Sequence, residues 1–434
     1  MTLDDLRLQT NTETKGRAAY HMIQELYPIC RSITGEGVRQ TLRYLQKKIP
    51  IEIHEVPSGT SVFDWTVPKE WNIRDAYVKN DRGEKVIDFQ ECNLHVVSYS
   101  VPVQKKMFLK DLKCHLHSIA DYPDWIPYKT SYYEPNWGFC LSQRTLDGLP
   151  HGEYEVLIDS DLMDGHLTYG ELVLPGETPD EVLFSCHICH PSLCNDNLSG
   201  VAITALLADR LMAQSRRYTY RFLFIPGTIG AITWLALNRD AANRIQHGLV
   251  LTGLGDPGPF TYKKSRKGNA VIDRAVEHVL LHSQVRHDVI EFNPYGYDER
   301  QYCSPGFNLP VGRLSRTPFG EYPEYHSSAD NLDFVRPLAL GDSFAQIWEV
   351  VSILEENRTY RNLNAFCEPQ LGKRGLYDGI GDDAMALLWV LNLSDGVHSL
   401  LEIAEKSGLK YSSILRAKEK LEKTALLQEM ELLP

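Results

Sequence analysis

Residues 185–200 read SCHICHPSLCNDNLSG and place two histidines, three cysteines, one carboxylate and two amides in a single short run. The four residues before Ser185 (Glu181-Val-Leu-Phe) read as a buried strand, and residues 201–212 form an apolar stretch of helical length. The run therefore lies on a strand-to-helix crossing, where side chains of an α/β protein can face a crevice.

Outward from this crossing, strand and helix patterns alternate. Strand-like residues 182–188, 221–226 and 248–255 are followed by helical stretches at 198–213, 229–239 and 269–283; a strand at 309–314 and a helix at 338–356 close the series. This alternation predicts an α/β core at 171–356, with a mixed, mainly parallel sheet covered by helices on both faces and functional groups at the carboxyl ends of its strands. Residues 1–57 supply two helices and a first strand to the same domain. Residues 58–170 are rich in aromatics, prolines and short alternating runs, which predicts an inserted β-rich module. A turn-rich linker is expected at 357–381 and a winged-helix-like unit of three amphipathic segments at 382–434.

The chain has 434 residues, 43% hydrophobic and 24% charged, enough for a large core. Its formal charge of −12 argues against nucleic acid or an anionic membrane as the main partner. In the C-terminal unit, six basic residues (Lys406, Lys410, Arg416, Lys418, Lys420, Lys423) face six acidic ones (Glu402, Glu405, Glu419, Glu422, Glu429, Glu431), a poor footprint for phosphate. A protein partner or self-association is the expectation there. No stretch reaches the length of a membrane span, and the polar first fifteen residues lack a signal-type apolar segment, so a cytoplasmic location is expected. Nine scattered cysteines are expected to be reduced.

The chemistry lies in four residues at the ends of successive strand candidates: His187, Asp196, Asp256 and His326. Imidazole and carboxylate donors together suit zinc, and a carboxylate entering a helix, such as Asp196, can bridge two ions. Asn195, Asn197, Ser199 and Gly200 are read as shaping the turn. Cys189 and His190 are read first as a buried thiol and a hydrogen-bonded imidazole, with zinc ligation the alternative for each in so Cys/His-rich a run.

The segments HICHPSLCNDNLSG at 187–200, the strand ending in Gly255-Asp256, and YHSSADN at 325–331 resemble the co-catalytic zinc aminopeptidases. The whole chain is similar to a bacterial aminopeptidase-like family with an inserted β-rich module and a C-terminal winged helix. The resemblance implies one or two Zn²⁺ ions, with His187, Asp256 and bridging Asp196 at one and His326 with Asp196 at the other. It also implies hydrolysis of an amide or peptide bond in a small substrate by a metal-activated water. Two departures stand out. Gly227 occupies the place of a carboxylate that such enzymes use as base and ligand, and Cys189 replaces the acid that orients the first histidine. The expected substitutes for the base are Glu299, Glu321 and Glu324. Arg300 is a candidate clamp for a substrate carboxylate, and Tyr132 and Tyr133 are candidate walls of the cleft. Two other functions fit the same residues: a non-catalytic peptidase-like sensor, and a metal-dependent amidase acting on a biosynthetic sugar or small-molecule conjugate.

Overall fold

The computed structural model describes residues 3–376 and 382–430. The last part of the expected linker, 377–381, and the end of the expected C-terminal unit, 431–434, lie outside the described residues. The chain divides into two compact units, one of residues 1–270 with 286–345 and one of 271–285 with 346–434.

The first unit is built on an eight-stranded sheet. In spatial order its strands are Glu52–Pro57, His166–Leu174, Thr219–Ile225, Glu181–His187, Ile245–Leu251, Val311–Ser315, Phe260–Lys263 and His287–Ile290. The four central strands are mutually parallel. Those leading to Glu52–Pro57 pair antiparallel, as does Phe260–Lys263 against Val311–Ser315. The mixed, mainly parallel sheet expected from the alternation is therefore present. Glu181–His187 is buried at every residue, as a near-continuous apolar run flanked by parallel neighbours requires. Its carboxyl end, which carries His187, opens at the same edge as Ile225 in the next strand.

The sheet begins earlier than the sequence suggested. His166–Leu174 already pairs with both Glu52–Pro57 and Thr219–Ile225, so the inserted segment ends before residue 166 rather than at 170. Gly170 in the middle of this strand interrupts its apolar alternation and reads as a turn signal. The insertion itself carries a four-stranded antiparallel sheet in the order Lys85–Asp88, Glu70–Lys79, Glu153–Met163, Val103–Phe108. Its Val78, Tyr154, Val156 and Ile158 join Leu167, Leu223 and Ile225 of the main sheet in one apolar cluster. The insertion and the α/β core thus share a continuous interior.

In the second unit, helices Asp382–Leu393, Leu400–Ser407 and Tyr411–Lys423 accompany a small sheet in which Thr359–Asn362 lies between Asp395–Ser399 and Leu427–Glu429. The segment expected to open a linker therefore supplies the central strand of this unit. Ser399 and Glu402 form a reciprocal capping box, and Gly408, at φ +68°, ends the same helix in the left-handed conformation.

Helix Val271–His282 belongs to this unit. Its Arg274 pairs with Glu405, and Nε2 of His278 accepts from the Tyr411 backbone N–H at 3.0 Å. Burial, with His282 nearby, pushes His278 down to about 4. The neutral ring is the form that can accept this bond. Its contribution is thus complete above the unfolded value of about 6.5 and is lost as pH falls through about 4. A His278→Gln variant should show a flatter decline of thermal stability between these limits. An unchanged decline would remove His278 from the account.

Candidate metal centre

His187 ends a strand buried at every residue, and Asp196 lies in the turn between that strand and helix Gly200–Met212. His187 Nε2 is 2.7 Å from Asp196 Oδ1, with both side chains almost wholly buried. The turn is fixed by its amides. Asn197 Nδ2 donates to the carbonyls of His187 and Leu251, while its Oδ1 accepts from Gly200 N and Gly253 N, so it ties together the ends of two neighbouring strands. Asn195 Oδ1 accepts from Gly255 N, and Ser199 Oγ donates to Asn195 O and accepts from Leu254 N. Gly200 is needed for close approach: a β-carbon there would stand 2.4 Å from Leu251 O and from Asn197 Oδ1.

Three imidazoles surround Asp196. Besides His187, His190 Nδ1 lies 3.8 Å from Asp196 Oδ1, and His326 Nε2 lies 3.1 Å from Asp196 Oδ2. His187, His190 and Asp196 each offer an atom within 4.8 Å of the others, a spacing that could hold a metal ion. His190, read from the sequence first as a hydrogen-bonded ring and second as a zinc donor, has no hydrogen-bond partner on Nδ1, and Asp196 Oδ2 faces His326 Nε2. Burial opposes ionisation of Asp196, but the imidazoles of His190 and His187 outweigh it and hold the carboxyl well below its ordinary range. Burial pushes His190 down to about 3, leaving a neutral ring with a free lone pair.

Aromatic rings fix the imidazoles in place. Tyr297 stacks on His187 at 5.0 Å and Tyr325 on His326 at 3.9 Å, while Tyr128 meets His190 and His326 edge-on at 5.3 and 5.1 Å. Tyr128 comes from the insertion, and its backbone N–H donates to His326 O at 2.7 Å. His326 takes φ +55° and is a third exposed, which makes it the solvent side of the cluster.

Two further aspartates support the turn. Asp330, fully buried, accepts from the backbone N–H groups of Asn195 and Asp196 at 2.6 and 2.9 Å; burial raises it to about 8. It holds Asp196 through the main chain, a role not read from its place in YHSSADN. Asp256 stands outside the cluster. Its carboxylate accepts from Thr317 Oγ1 at 2.6 Å, Gly258 N at 2.8 Å and Asn195 Nδ2 at 3.1 Å, so both oxygens are engaged away from the imidazoles.

The other candidates scatter. Glu299 is buried against Lys263 Nζ at 2.6 Å and is an internal ion pair. Glu321 is exposed, and Glu324 is half-buried beside a surface hollow with Trp125, Asn331 and Arg336. Arg300 lies 5.9 Å from the Tyr295 ring. Tyr132 is half-buried and bonded through its hydroxyl to that of Tyr128 at 2.8 Å, one step from the imidazoles, whereas Tyr133 is 49% exposed against Trp65. Cys189 is buried with its thiol 3.8 Å from Gly227 O.

At Gly227 the structure supplies a carboxylate from another segment. A β-carbon on Gly227 would lie 3.1 Å from His187 Cβ and 3.5 Å from both oxygens of Asp298. Burial pushes Asp298 up to about 7. Gly227→Glu should therefore crowd His187 and weaken, by about tenfold or more, the affinity of the site for any zinc it holds, comparable to the loss of an outer partner of a ligand. A gain in activity or affinity on zinc titration would contradict this placement.

A mixed eight-stranded sheet with donors gathered at its central strand ends is an aminopeptidase-type α/β fold. The zinc aminopeptidase of Bacillus subtilis shares it, with a TM-score of 0.56 at 11% identity over 78% of this chain and 94% of that one. The chain belongs to the family described as a domain of unknown function (DUF4910), whose family model matches residues 20–357, and a winged helix-turn-helix model matches 358–429. It is 54% identical over 427 residues to a Clostridium acetobutylicum protein named "Putative polysaccharide biosynthesis protein with aminopeptidase-like domain", covering 97% of this chain and 98% of that protein. The crystal structure of a "putative peptidase" from the same organism superposes with a TM-score of 0.95 at 53% identity, covering 98% and 99% of the two chains.

Proposed function

We propose that this chain is a metal-dependent hydrolase that cleaves an amide bond. The observation that carries the reading is the convergence of His187, His190 and His326 on the buried Asp196, with imidazole nitrogens 2.7, 3.8 and 3.1 Å from its oxygens and His190 Nδ1 left without a hydrogen-bond partner. A buried carboxylate is costly unless its charge is offset, and a cation held by the imidazoles that converge on it would offset it. The donors fit zinc: His187, His190 and Asp196 would hold it, with His326 facing it from the solvent side. Bound there, zinc would polarise a substrate carbonyl and lower the pKa of water. Tyr128, Tyr297 and Tyr325 hold the imidazoles by ring contact, and burial keeps their hydroxyls protonated.

Turnover of a panel of aminoacyl amides and short peptides tests the reading. Activity should disappear on chelation and return with added zinc. A zinc-loaded protein that turns over no amide in the panel would overturn it. A second reading, that the amide belongs to a saccharide intermediate, is supported by the name of the Clostridium relative at 54% identity. N-acyl amino sugars included in the panel separate the two.

A further inference from the structure

Arg31 is a guanidinium buried to 1% exposure, and its hydrogen bonds go to neutral oxygens. The titratable groups that act on it most are the thiols of Cys30, Cys194 and Cys189 and the phenol of Tyr128, with no carboxylate among them. Burial pushes it down to about 10, so it stays charged at neutral pH. A buried charge without a counter-ion is costly, and what Arg31 supplies in return is the reach of its fork.

That fork joins three segments. Nη1 donates to the carbonyl of Leu26, the last residue of helix Leu3–Leu26, at 2.8 Å, and to Thr41 Oγ1 in helix Glu36–Gln46 at 3.5 Å. Nε donates to the His190 carbonyl at 2.9 Å. The N-terminal helices are thereby bonded to the main chain of a residue whose imidazole faces Asp196. The following Pro191 has no N–H and holds His190 away from helical backbone, and Ser192 Oγ donates to Tyr27 O at 2.8 Å. The N-terminal segment therefore grips the stretch that carries His190 at two points. His326 is held in the same manner: its carbonyl accepts from the Tyr128 N–H, and the Tyr128 ring meets both imidazoles edge-on.

We propose that Arg31 is a positioning residue of the metal centre: by holding the His190 carbonyl it sets the His190 imidazole at Asp196 and makes the N-terminal helices part of the site. Lysine is no equivalent there, because a single ammonium cannot reach Leu26 O and His190 O through separate nitrogens of one rigid plane.

The inference rests on the metal reading with His190 as a ligand, and a double-variant cycle separates their failures. Zinc affinity is measured by competition with a chelating dye for the wild type, Arg31→Met, His190→Ala and the double variant, alongside the circular dichroism of each. Arg31→Met should lose about tenfold or more in affinity, the loss expected for an outer partner of a ligand. With His190→Ala already present, Arg31→Met should cost nothing further, because the imidazole it acts through is gone. A merely structural residue would give the same loss on both backgrounds. Arg31→Lys, which keeps the charge and one donor, should fall between wild type and Arg31→Met, and the same cycle run with it gives the answer if Arg31→Met does not fold. Wild-type affinity in a folded Arg31→Met or in Arg31→Lys with Arg31→Met unfolded, or equal losses with and without His190, overturns the positioning role alone. Wild-type affinity in His190→Ala removes His190 from the centre and this inference with it. A wild type that takes up no zinc overturns both readings.

Discussion

Asp196→Asn should abolish zinc binding and hydrolysis together while leaving the chain folded. The carboxylate is the single anion inside the ring of His187, His190 and His326, and the side chain is 1% exposed. Asparagine keeps the shape and can still accept from one imidazole, and the backbone bonds from Asn195 and Asp196 to Asp330 are untouched. What disappears is the charge that offsets a dication. Loss of an outer partner of a metal ligand costs about 10–100-fold, so loss of this inner one should exceed about 100-fold in affinity. Calorimetric zinc titration and the amide assay read both effects. Retention of either at wild-type level would move the centre elsewhere.

The second large effect concerns stability. Glu299→Ala leaves Lys263 buried at 2% exposure without its carboxylate, and removing one partner of a buried pair costs about 3–5 kcal/mol. The two carbonyls bonded to Lys263 Nζ soften the loss without neutralising the charge. A Lys263→Met/Glu299→Leu double variant, which removes both charges and keeps apolar volume, should recover most of it. Urea unfolding of the three proteins checks the pattern. If Glu299 were instead the base, Glu299→Ala would lose turnover at unchanged midpoint.

The parts of this architecture that were legible in the sequence are those written in apolar pattern. The strand 181–187 and helix 200–212 are continuous apolar runs joined by polar residues, so their crossing and the place of His187 and Asp196 followed from the chain alone. The C-terminal helices were readable for the same reason, with Ser399 and Gly408 marking a start and a stop. What was not legible depends on which side chains meet across long separations. From its apolar run Asp256 reads as a strand-end ligand, but the strand stops at Leu251, and Thr317, 61 residues after Asp256, takes its carboxylate. His190 offers no periodic signal to distinguish a ligand from a core imidazole; only the fold brings its Nδ1 to Asp196. Asp298 sits between Tyr297 and Glu299 in a polar stretch, and nothing local tells that Glu299 turns to Lys263 while Asp298 turns to Gly227. The carboxylate missing from Gly227 is therefore not an argument against catalysis in itself, because its space is filled from another segment.

The central claim is that Asp196 and its three imidazoles hold a functional metal ion. Anomalous diffraction at the zinc edge, from crystals of protein purified without chelator, tests it most directly. The account predicts one strong peak within about 2.0–2.2 Å of Asp196 and imidazole nitrogens of this cluster. Full-length, folded protein with no peak there, or with its only peak among other residues, would contradict it.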